Sequence, residues 1–222
     1  MALSKLTYNS LNVTAAASKG IGFGSGADDL STDFAGGDMT FIKKLTADGS
    51  GDNLSFVHGT SDVVLDNTYK EYLFTFNNIH PATDNANFTF NGSIDAGSNY
   101  NVTKTTTLVR AYHYEDGTGA GIGYIAAADL AQSTAFQMLT DDIGNDNDSA
   151  ACGYLQLFNP SSTTFVKHFI AKTSQPYNDE LAWHGIIAGY FNDTNDIDAV
   201  QFKMNSGTID AGTIKLYGIK DS

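Results

Sequence analysis

Apolar side chains recur at every second position through segment after segment of this chain, the period of a half-buried β-strand. In YKEYLFTFN (69 to 77), Tyr72, Phe74 and Phe76 share one face, and in ANFTFNGSI (86 to 94) Phe88 and Phe90 do the same. Near the C-terminus, Val200, Phe202 and Met204 are expected to face a core while Gln201 and Lys203 face solvent. Ile214 and Leu216 repeat the alternation beyond a turn expected over GTIDAGT, with Lys215 and Tyr217 opposite. Further strand patterns are MTFIKKLTA (39 to 47), LSFV (54 to 57), YNVTKTTTLVRAYHY (100 to 114), GYLQLFN (153 to 159), TFVKHFIAKT (164 to 173) and HGIIAGYFN (184 to 192). The 15-residue run 100 to 114 is long enough to bend or break in two. Turn clusters such as DGSGDN separate these runs at sandwich-like intervals. YIAAADLAQSTAFQML (124 to 139) is the one short helix expected. The sum is about eight to ten strands, which fits an all-β, jelly-roll-like antiparallel β-sandwich.

Two regions break the pattern. Residues 1 to 37 are polar and then Gly-rich, with Gly at 20, 22, 24 and 26, so they are expected to form an N-terminal arm docking on a neighbouring subunit. The sandwich domain is placed at 38 to 222. The near-repeat of GSIDAGS (92 to 98) and GTIDAGT (207 to 213) reads as one turn used twice.

Composition narrows the function classes. Only Glu71, Glu115 and Glu180 among the 25 acidic residues are Glu; the rest are Asp, which supports turns, whereas Glu favours helices. A net charge of −13 with Arg110 as the sole Arg excludes a nucleic-acid groove, which needs clustered Lys and Arg. No run of roughly 18 apolar residues marks a membrane span. The start MALSKLTYNS has no secretory apolar core, and Cys152 has no partner for an intrachain disulfide. Both observations fit synthesis in a reducing cytoplasm. The seven Asn-x-Ser/Thr sequons follow from the abundance of those residues.

Chemical motifs are absent. Neither GIGFGSG nor GTGAGIG matches a nucleotide loop, so both read as plain loops, and no metal or cofactor is expected. Asp48 with Asp52, and Asp141, Asp142, Asp146 and Asp148, offer the oxygen ligands of a Ca²⁺ loop, but Gly59 and Gly153 stand where its closing Glu belongs. They read as turn carboxylates. His58, His80, His113, His168 and His184 show no zinc spacing. Cys152 reads as a small buried apolar group. There is no Ser elbow, and nothing selects Glu115 or Asp129 as a glycosidase pair. Catalytic residues are therefore expected to be none. Tyr112, Tyr114, Tyr177, Trp183 and Tyr190 lie near strand ends, where exposed aromatic rings contact sugars or partner proteins; the competing reading places them over the core.

Four stretches carry a resemblance: MALSKLTYNSLNVT, YKEYLFTFNNIHPATDNANFTFNGSIDAGSNY, LQLFNPSSTTFVKHFIA and IDAVQFKMNSGTIDAGTIKLYGI. On them the chain resembles small virion structural proteins of tailed bacteriophages, common among marine and cyanobacterial phages. The Gly-rich GIGFGSGADDL has no counterpart in that resemblance. It implies a jelly-roll-like sandwich on the particle surface, without enzymatic activity, contacting major capsid or tail proteins. A head decoration protein acting as a homo-oligomer, a trimer by preference, is the leading expectation. A tail-fibre or receptor-binding tip touching host surface glycan comes second, since no coiled-coil heptads form a shaft. A glycan-degrading enzyme comes third.

Overall fold

The computed structural model describes residues 38–51, 53–178 and 180–221, together with the backbone of residues 22–23 and 30–31. The chain divides into two compact units, Met1–Gly37 and Asp38–Ser222. In the first, strand β1 (Gly22–Phe23) pairs antiparallel with β2 (Leu30–Ser31). The rest of the expected docking arm lies outside the described residues.

The second unit is an antiparallel β-sandwich of unequal sheets. Across the large sheet the strands run β3 (Met39–Ala47), β14 (Ile209–Ile219), β5 (Glu71–Pro81), β10 (Ala151–Phe158), β11 (Lys167–Tyr177), β12 (Leu181–Phe191), β7 (Lys104–Tyr114) and β8 (Ala120–Tyr124). The small sheet runs β4 (Asn53–Val57), β13 (Ala199–Met204), β6 (Phe88–Ser93) and β9 (Gln137–Met138). Only the connections β7–β8, β10–β11 and β11–β12 stay within a sheet; every other one from β3 onward crosses between layers, as jelly-roll-like folds require.

Alternation decides what fills the space between the layers. β11 and β12 bury every second residue almost without exception, and β5 points Tyr72, Phe74 and Phe76 inward as the sequence indicates. Phe202, central in the small sheet, stacks on Phe88 at 5.7 Å and meets Phe56, Phe74 and Phe76 at tilted or edge angles. Such offset and edge contacts match ring quadrupoles and add to the burial of apolar area.

Several sequence expectations need correction. β13 and β14 are not a hairpin: they belong to different sheets, and GTIDAGT contributes Ile209–Thr213 to β14. Its near-copy GSIDAGS does form a turn, where Asp95 accepts from Ser93 Oγ and from the backbone and side chain of Asn99. The same local sequence thus adopts two conformations under different tertiary constraints. The run 100 to 114 yields one unbroken strand from Lys104. No helix occurs among the described residues, including 124 to 139, and none is long and apolar enough to cross a membrane. That segment instead lines the edge of β7, with Thr106 N donating to Leu130 O and Lys104 bridging Ser133 in both directions. Satisfying a sheet edge outweighs the favourable helix propensity of its alanines. The loop reading of GTGAGIG is also wrong, since Ala120–Tyr124 is β8. Two of its glycines make room for tyrosines of β7: a Cβ at Gly121 would meet the Tyr112 ring at 2.9 Å, and one at Gly119 the Tyr114 ring at 3.3 Å. Cys152 is exposed, on the outer face of β10.

Two lysines among the described residues are wholly buried. Lys167 Nζ donates to the carbonyls of Asp193, at 3.0 Å, and Asn195, fastening the loop after β12. Lys104 Nζ donates to Val102 O at 3.1 Å and Ala135 O at 2.5 Å, and sits 5.8 Å from the Phe191 ring centre. Burial pushes the Lys104 ammonium down to about 7 from the usual 10.5. Between those values the unfolded chain binds more protons than the folded one, so stability attributable to this group rises with pH through the window and is lost as pH falls through it. Denaturant midpoints of wild type and Lys104→Met should therefore diverge in favour of wild type as pH is raised from near 7 toward 10. Parallel pH profiles would show that Lys104 remains charged when folded.

Candidate functional site

Residues of β7 that point between the sheets change character along the strand: Lys104, Thr106 and Leu108 are buried, whereas Arg110, Tyr112 and Tyr114 are half-buried. Beyond the small sheet, the segment 139–143 lies over the large one. Thr173 Oγ1 donates to Leu139 O at 2.5 Å, Gln175 Nε2 to Asp141 O, and Tyr177 OH to Asp142 Oδ2 at 2.7 Å. Beside this strap a cleft of about 450 Å³ opens, lined by Arg110, Tyr112, the β8 backbone through Gly121 and Gly123, Tyr124 and Asp141.

Its electrostatics are balanced. The Arg110 guanidinium lies 5.0 Å from the Tyr112 ring centre, within cation–π range. Arg110 Nη1 is 3.9 Å from Asp141 Oδ2, an ion pair too long for a hydrogen bond. Burial, helped by the neighbouring Asp142 charge, raises the Asp141 carboxyl above the usual range, and Arg110 opposes the shift. Neither side chain makes a hydrogen bond to another described residue. Tyr124 OH donates to the Asp129 carboxylate at the rim.

The five aromatics singled out in the sequence are divided by the fold. Tyr112, Tyr114, Tyr177 and Trp183 occupy one face of β7, β11 and β12, which supports the core-covering reading. Trp183 is 1% exposed, so it is no surface platform; its in-phase position on β12 puts it under the strap. Tyr190 points the opposite way, 5.9 Å from His168, in a groove of about 460 Å³ shared with Thr105, Thr107, Phe158 and Ile170.

One row across that outer face of the large sheet is apolar for an uncovered sheet surface. Registers align Phe41, Tyr217, Leu73, Gln156, Ile170 and Ala188 across six neighbouring strands. Phe41 is 55% exposed, and Ile170 and Ile186 40% each. Alternation in a one-sided sheet places polar residues outward, and this row departs from that pattern.

The acidic segments are local. Asp48 accepts from Ser50 N and Oγ, which holds its carboxyl below the usual range, and Asp52 lies outside the described residues. No group of three or more His, Cys, Asp or Glu is arranged to hold a metal among the described residues. Glu115 lines a depression with Asp146, Asp148 and Glu180, while Asp129 sits at the rim of the Tyr112 cleft. Sequence reading passed over the cleft, although Arg110, Tyr112 and Tyr114 are spaced two apart and must share a face. Asp141 reaches it only through the strap, which no local pattern encodes. Comparison of the chain with protein-family models, curated proteins and solved structures finds no match to any of them.

Proposed function

We propose that this protein is a non-enzymatic structural component of a bacteriophage particle surface, decorating the head. The observation that carries the reading is the apolar row across the outer face of the large sheet, which fits lateral or basal packing against neighbouring virion proteins, including copies of itself. Closed symmetric assembly would bury the same row on every subunit. A sandwich with cross-layer connections supplies the rigid body such a role needs.

The test is incorporation. Ile170→Asp, at the centre of the row, is expected to leave the thermal melt of the isolated protein close to wild type, because the residue faces solvent there. Particles assembled with it should carry far fewer copies, since a charge in a buried contact is costly. Wild-type protein should be present in many copies per particle; unchanged incorporation of the variant would reject the outer face as the assembly surface. A second reading, a receptor-binding tip present in few copies, draws on the Arg110–Tyr112 cleft.

A further inference from the structure

We infer that the cleft formed by Arg110, Tyr112, Asp141 and the β8 glycines binds a neutral saccharide unit. Ligand sites are concave surfaces with a few convergent polar groups, and this one places a cation and a carboxylate side by side without hydrogen bonds to other described residues. Arg110 can only donate and an ionised Asp141 can only accept. A ligand satisfying both must accept and donate within a few ångströms, which is what adjacent hydroxyls of a pyranose do. The charges cancel, and the chain carries −13 overall, so a free anion has little to gain here.

The floor supports the same conclusion. Gly121 lies under the Tyr112 ring, and a Cβ at Gly123 would meet nothing within 4 Å, so the strand leaves bare backbone beside the aromatic ring. Sugar rings present flat C–H faces that pack on such surfaces, while their hydroxyls reach the rim. Arg110 pairs in register with Gly123 and Tyr112 with Gly121, so charged edge, aromatic ring and open floor are fixed by one hairpin. The outer groove around His168 and Tyr190 has no comparable pair of opposite charges among its lining residues.

This inference supplies the ligand for the receptor-tip reading but is a property of the isolated chain, so it stands or falls independently of copy number in particles. The experiment is a titration of isotope-labelled protein with neutral methyl glycosides of glucose, galactose, mannose and N-acetylglucosamine, followed by amide chemical shifts. At least one glycoside should move the amides of Tyr112, Gly121 and Gly123. Gly123→Val, whose side chain enters open space in the cleft, should abolish those shifts with an unchanged melting temperature. Arg110→Met should weaken binding about 10- to 100-fold, the loss expected for a charged hydrogen-bond donor, and is read even if the valine variant fails to fold. The inference is overturned by an absence of cleft shifts up to the solubility of every glycoside. It is equally overturned by shifts confined to His168 and Tyr190, or by sodium acetate producing the cleft shifts that the sugars do not.

Discussion

Phe202→Ala is expected to destabilise the sandwich by about 3–5 kcal/mol, the range for deleting a buried aromatic ring. Phe202 is wholly buried, and its ring lies 5.2 to 6.3 Å from those of Phe56, Phe74, Phe76, Phe88 and Phe90. Those partners come from β4, β5 and β6, so one ring ties the small sheet to the large one. Rigid neighbours on three strands cannot collapse into the space, which places the cost in the upper half of the range. Urea denaturation of the isolated protein measures it. A loss below about 1 kcal/mol, small beside typical core truncations, would mean that the two sheets do not meet at this ring.

The strands of this core were legible because alternation is a local property. Met39–Ala47 is a strand with the bounds its sequence indicates, and Val200, Phe202 and Met204 are buried as their spacing requires. Pairing is not local, so the hairpin expected between β13 and β14 was an inference from adjacency alone. Adjacent strands here belong to different layers more often than not, and nothing in NSGTIDAG distinguishes a hairpin turn from a crossover. The Gly-rich strand β8 was hidden for a different reason. Its alternation is between glycine and other residues, not between apolar and polar, and the tyrosines it accommodates sit on the preceding strand.

The candidate site shows the same division. Arg110, Tyr112 and Tyr114 share a face by spacing alone, whereas Trp183 joins them only because β12 pairs with β7 in the register Trp183 to Tyr112. Spacing alone left Trp183 open between exposure and the core, because burial near a strand end depends on what crosses above it. Here that is the strap 139–143, tied down by Thr173, Gln175 and Tyr177. The apolar outer row was unreadable for a related reason: its members come from six strands, and each alone is an ordinary isolated surface residue.

A kink line running across three strands of the large sheet gives the second large effect. Between the pairs Ile79–Ala151 and Phe76–Gly153, Asn77 and Asn78 of β5 stand opposite Cys152 alone. On the other side of β5, Asn78 and Ile79 stand opposite Gly212 alone. Asn78 takes a φ of 53° and Gly212 one of 122°, and Asn78 N donates to Cys152 Sγ at 3.4 Å. These two-against-one steps are β-bulges, which bend a strand and increase its twist. The bend brings backbones close: a Cβ at Gly153 would stand 2.2 Å from Lys172 O and 2.9 Å from Thr173 Cα, with no flexible side chain to yield. Gly153→Ala should therefore cost about 3 kcal/mol, at the upper end for overpacking, because β10 and β11 must separate at the centre of the sheet. Gly123→Ala, a strand glycine with open space at its Cβ, should change stability by less than about 0.5 kcal/mol, as surface substitutions do. Urea midpoints for the two variants measured side by side test the kink. Equal midpoints would mean that the sheet at Gly153 opens without strain and that the bulge line does not constrain β10.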